Sequence, residues 1–99
     1  MARTTIDDLK ARRLGQMSEA ELAEFDATYA ATKLALEVGE QVRDAREAAG
    51  LTQRELASRM GTSQAAIARL EAGGVGATLT TLQKVATALN LEVAVLLRP

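Results

Sequence analysis

Cysteine, histidine and tryptophan are missing from all 99 residues, and the one proline is the last residue. Without cysteine and histidine there are no disulfides, no thiol nucleophile and none of the usual zinc ligands. Carboxylates are left for acid–base chemistry, but no nucleophile–base pair accompanies them. The glycines of Gly73-Gly74-x-Gly76 lack both the preceding strand and the lysine of a phosphate-binding loop. The expectation is a non-enzyme with no cofactor and no metal. Aromatics are reduced to Phe25 and Tyr29. No apolar run approaches the about 20 residues of a membrane span. The first residues, MARTTIDDLKARRLG, lack an apolar core of signal-peptide length and include Asp7 and Asp8. A cytoplasmic protein without membrane contact is expected.

A surplus of one charge sign is also missing, the net charge being −1. Residues 1–35 hold five basic and six acidic side chains, and residues 36–99 hold seven of each. Binding to a polyanion would therefore require the cations to gather on one face, with weak non-specific affinity.

What is present is alanine and leucine, within a composition 47% hydrophobic and 25% charged. That favours a folded, helical chain of one domain with a short appendage. So short a chain buries a modest core, so a second copy or a partner is expected.

Along the chain, Thr5 to Leu14 reads as a short helix with Ile6, Leu9 and Leu14 apolar, closed by Gly15. It is either a surface helix or frayed terminus, or a binding arm. Ser18-Glu19-Ala20-Glu21 is a capping box. The helix it opens places Leu22, Phe25 and Tyr29 on one face. These three either pin the extension to the domain or dock a partner. The pattern runs to Gly50 as one long helix or two nearly collinear ones, weakened only at Gly39. Its second apolar stripe is Leu34, Val38, Val42, Ala45 and Ala49.

After Gly50 the chain changes character. Thr52-Gln53-Arg54-Glu55 is a second capping box, opening a helix that buries Leu56, Ala57 and Met60 and breaks at Gly61. Ser63 caps a helix with Ile67 and Leu70 inward, ending at Gly73-Gly74. Thr78 opens another, with Leu79, Leu82, Val85, Ala86 and Leu89 at helical spacing, ending at Asn90. In the tail, Leu91, Val93, Val95 and Leu97 share one face at period two and predict a strand.

Two short helices joined by a glycine-bearing turn, Thr52–Met60 and Ser63–Glu71, are the geometry of a helix-turn-helix. Gly61 lets them cross steeply, and Ala57 is small where they meet. Short and polar side chains at the amino end of the second helix, Ser63, Gln64 and Ala65, suit entry into a DNA major groove.

The run LTQRELASRMGTSQAAIARLEAG, Leu51 to Gly73, resembles the phage-repressor-type (XRE) helix-turn-helix family. The match extends to Arg43-x-x-Arg46 on one side and to Thr78 through Leu89 on the other, about residues 36–90. The whole layout, an amino-terminal helical extension, this domain and an apolar tail, is also similar to HigA-like antitoxins. The resemblance implies an all-α fold: a five-helix repressor-like domain, residues 36–90, with a helical extension, 1–35, and a C-terminal hydrophobic tail or short β-strand, 91–99. It implies that Gln64 pairs with adenine and that Ser63, Ala65 and Ala68 line the groove, the alanines touching thymine methyls. Arg69 would read guanine or hold a phosphate. Thr52 and Gln53 would place the helix start on a phosphate. Arg46 and Glu71 match a salt-bridged pair beside a phosphate, making Arg46 a further contact. The loop after the second helix, residues 73–77, departs from the family in lacking a basic residue.

The function implied is a DNA-binding antitoxin that neutralises a cognate RNase-type toxin and represses its own operon. Double-stranded DNA with a palindromic operator, the toxin and a second copy would be its partners, with Leu22, Phe25 and Tyr29 on the toxin. The competing reading is a free-standing phage- or plasmid-type repressor.

Overall fold

A computed structural model describes residues 17–99. The helix expected over Thr5–Leu14 lies outside the described residues. Four helices follow: α1 Glu19–Ala48, α2 Gln53–Met60, α3 Gln64–Gly73 and α4 Leu79–Leu89. The described fold is all-α with these four helices rather than five.

Helix α1 is a single helix, continuous through Gly39. The Ser18 hydroxyl accepts from the Glu21 N–H at 3.3 Å and opens it. Gly50, with φ of 72°, ends it, and the Leu51 N–H reaches the Arg46 carbonyl at 3.2 Å. Among the described residues, 17–31 belong to one compact unit and Thr32–Pro99 to a second.

Within Thr32–Pro99, α2, α3 and α4 enclose the core with the carboxyl-terminal half of α1. Leu56, Ile67 and Leu70 are its largest fully buried side chains. Val42, Leu51, Ala57, Val85 and Leu89 complete it, with Ala45, Met60 and Leu82 packed against it. Each short helix is stopped by a left-handed residue that returns its N–H to the last turn, namely Gly61, Gly74 and Asn90.

The buried stripe of α1 differs from expectation. Leu34 is 61% exposed and Ala49 is exposed, whereas Gly39 is buried. A methyl group on Gly39 would lie 2.6 Å from the Leu70 carbonyl oxygen and 2.7 Å from that of Glu71. The glycine is where α1 crosses the end of α3 backbone to backbone, and no side chain fits between. A methyl on Gly74 would likewise run into the Ala35 carbonyl. Leu79 is also corrected: at the first position of α4 it is 69% exposed.

The strand expected in the tail is not formed. Residues 91–99 have no regular secondary structure and are exposed throughout. An alternating pattern becomes a strand only when a second strand supplies ladder partners, and the described chain supplies none. Among the described residues, no helix is long and apolar enough to cross a membrane.

Candidate nucleic-acid interface

Helix α2 starts at a complete capping box. The Thr52 hydroxyl accepts from the Glu55 N–H at 3.1 Å, and the Thr52 N–H donates to the Glu55 carboxylate at 3.1 Å. The Thr52 backbone N–H, and then its side chain, hold the Glu55 carboxyl below its ordinary value. This start leaves the first backbone N–H groups of α2 without intrahelical acceptors.

The turn into α3 is made at Gly61, whose φ is 67°. The Thr62 N–H then closes onto the Ala57 carbonyl at 2.9 Å. Ser63 caps α3, its hydroxyl accepting from the Ala66 N–H at 3.1 Å. The outer surface of α3 is therefore set by its amino end. Ser63, Gln64, Ala65 and Arg69 are exposed there and Ala68 is half-buried, while Ile67 and Leu70 hold the opposite face in the core. Arg69 makes no hydrogen bond or ion pair with the described residues.

Behind this surface lies one buried carboxylate, Glu71, whose side chain is only 1% exposed. Arg46 of α1 donates to it twice, Nε to Oε2 at 2.7 Å and Nη2 to Oε1 at 3.0 Å. Its Nη1 donates to the Leu51 carbonyl at 2.7 Å. The Gln53 amide adds a donor to Oε1 at 3.3 Å, and Arg43 lies 3.9 Å away with half its side chain exposed. Burial pushes the Glu71 carboxyl up, but the hydrogen bonds from Arg46 and Gln53 and the charges of Arg46 and Arg43 outweigh it. The group ionises below its ordinary value. The bonds to Glu71 raise the already high value of Arg46.

The eight residues expected at DNA thus fall into two sets. Ser63, Gln64, Ala65, Ala68 and Arg69 share one helix surface, and Thr52 stands exposed at the α2 start. Arg46 and Gln53 point their donors into Glu71, tying the α1 end, the α2 start and the α3 end together. Arg43 is a further member that is not among the eight. Its spacing of three residues from Arg46 was the available signal, because i, i+3 puts both on one helix face. Leu22, Phe25 and Tyr29, the residues expected at a partner, lie in the other unit, and all three are half-buried.

Two capped helices crossing at a glycine turn, the second showing a short polar amino end, define a helix-turn-helix domain. The chain belongs to the HTH_3 (XRE-type) helix-turn-helix family, whose model matches residues 42–96. Over 56 residues, 57% of this chain, it is 43% identical to y4dL of Sinorhizobium fredii, an uncharacterized HTH-type transcriptional regulator. That stretch spans only 29% of the relative's length. The fold is also that of the restriction-modification controller protein C.AhdI from Aeromonas hydrophila. There the TM-score is 0.56 and the identity 33%, covering 59% of this chain and 88% of the other.

Proposed function

We propose that this chain is a sequence-specific regulator of transcription that binds double-stranded DNA as a homodimer on a palindromic operator. The observation that carries this reading is the amino end of α3, exposed on one side while Ile67 and Leu70 hold the opposite face in the core. Gln64 is the base reader, donating to and accepting from an adenine edge, and Ala65 and Ala68 meet thymine methyls. Arg69 reaches guanine or a phosphate from the same surface. Thr52 and the free N–H groups at the α2 start hold the DNA backbone. In this reading Arg46 and Gln53 serve mainly by holding the α2 start in place.

The charge distribution agrees with this placement. Between Thr52 and Leu89 the cations are Arg54, Arg59, Arg69 and Lys84, against only Glu55 and Glu71. Glu71 is buried beneath Arg46. The acidic balance of the chain comes from elsewhere, including Glu37, Glu40, Asp44 and Glu47 on α1.

Both relatives are named as a regulator or a controller, which favours a free-standing regulator over a toxin-neutralising one. A single recognition helix reads only a few base pairs, so two copies at half-sites about one helical turn apart are needed for operator specificity. Selection from a random-sequence DNA library with the full chain, at fixed salt, tests the reading. Recovery of a palindromic sequence bound at least a hundred-fold (~10²) more tightly than random DNA supports it. Equal affinity for selected and random DNA overturns it.

A further inference from the structure

Residues 91–97 present an unusual surface. Leu91, Val93, Val95 and Leu97 alternate with Glu92, Ala94 and Leu96. Exposure rises from 37% at Val93 to 69% at Val95 and 90% at Leu97. The departure of the tail from α4 is fixed, because Asn90 is left-handed and the Leu91 N–H donates to the Ala86 carbonyl at 2.8 Å. Beyond that point no backbone hydrogen bond is made within the described chain. Glu92 and Arg98 have no ion-pair partner there either.

We propose that this tail pairs antiparallel with the same segment of a second copy. Val95 then lies on the two-fold axis, and Glu92 of each copy lies opposite Arg98 of the other. The proposal rests on the homodimeric reading above and supplies its interface.

Charge decides both the occupant and the register. Placing Val95 against itself brings Glu92 opposite Arg98 twice, Val93 opposite Leu97 twice, and Ala94 opposite Leu96 twice. A two-fold contact requires this self-complementarity, residue i meeting j and j meeting i. Moving the register by two residues breaks both Glu92–Arg98 pairs, setting Glu92 opposite Leu96 in one direction or Arg98 opposite Ala94 in the other. A parallel in-register pair would set Glu92 against Glu92 and Arg98 against Arg98, and like charges directly opposite are destabilising. The antiparallel pair gathers Val93, Val95 and Leu97 of both copies on one face. Pro99, which lacks an N–H, falls at the strand end where a missing donor is tolerated. An isolated two-stranded ribbon is marginal in water. Here the folded domain anchors each strand, and Val93 is already the least exposed of the alternating four.

The natural absence of cysteine provides a direct test on the full chain. A single Val95→Cys places two thiols across the axis. Their Cα atoms would be about 4.5–5.5 Å apart, within disulfide reach. Mild oxidation should give a covalent dimer, whereas Ser58→Cys, exposed on α2, should stay monomeric under the same conditions. Glu92→Arg alone, or Arg98→Glu alone, should raise the dimer dissociation constant about tenfold by sedimentation equilibrium. The double variant Glu92→Arg with Arg98→Glu should restore it. Circular dichroism should show unchanged helix content in every variant, since the tail lies outside the core. A chain that sediments as a dimer but does not cross-link at Val95→Cys overturns the tail pairing and leaves the homodimeric reading standing. A strict monomer overturns both. Failure of the double variant to restore dimerisation overturns the register and with it the proposal.

Discussion

Arg46 grips Glu71 through two hydrogen bonds, at 2.7 and 3.0 Å, across 25 residues of sequence. The carboxylate is buried and the third arm of the guanidinium is spent on the Leu51 carbonyl. Arg46→Ala would leave the carboxylate buried with only Gln53 and the more distant Arg43. Unpairing a buried ion typically costs about 3–5 kcal/mol, and the two remaining donors place this case near the lower end. Urea denaturation should show that loss. Arg46→Lys should recover only part of it, because an ammonium cannot reproduce the planar three-way fork.

The same carboxylate gives stability an acid limb. Glu71 ionises below its ordinary value when folded, so its contribution is complete above about pH 4.3, the ordinary glutamate value. It is lost as pH falls through the lower folded value, because the unfolded chain takes up the proton first. Urea midpoints between pH 7 and pH 3 should therefore fall on the acid side. Glu71→Gln should begin less stable and show a flatter fall. An equal slope in the two proteins would refute the assignment.

Gly39→Ala tests the backbone crossing. By helix propensity alone alanine should stabilise α1 by about 1 kcal/mol. The added methyl, however, meets two carbonyl oxygens at 2.6 and 2.7 Å, so the variant should be less stable than the parent. Gly73→Ala is the contrast, with open space around its added methyl and a place in the last turn of α3. It should be neutral or slightly stabilising, so its thermal melt should hold or rise where that of Gly39→Ala falls.

On DNA, Gln64 and Gln53 should separate. Gln64→Ala removes an exposed side chain and should lose about 1–3 kcal/mol per half-site on the selected operator while blurring its sequence preference. Gln53→Ala should weaken all DNA sequences alike and also lower folding stability, because its amide serves Glu71. Fluorescence anisotropy on operator and random DNA measures both. An unchanged operator-to-random ratio for Gln64→Ala would place base reading elsewhere.

Local chemistry was readable in the sequence, and long-range approach was not. Thr52, Ser63 and Thr78 announced their helices because a cap is decided within three residues. Gly50, Gly61 and Asn90 announced the stops for the same reason. Leu34 and Leu79 belong to apolar stripes at helical spacing yet are exposed, because periodicity fixes a face of a helix but not how far along the helix the neighbours reach. Gly39 looked like a flaw in α1, since nothing in its own segment reveals the carbonyls of Leu70 and Glu71 some thirty residues on. The tail showed its alternation plainly, but a strand is a property of two segments, and one segment cannot supply it. On the recognition surface, residue type was legible at Gln64, whereas the inward commitment of Arg46 depended on where α3 ends.

Gly39 also bears on the local stability of α1. An interior glycine lowers the chance that a helix propagates through it, so α1 is weakest at the point where it meets α3. Contact with the Leu70 and Glu71 carbonyls therefore falls where the propensity of α1 is lowest, and docking of α3 should steady the helix there. Amide hydrogen exchange around residue 39 should accordingly report on α3 more closely than on the first turns of α1 itself.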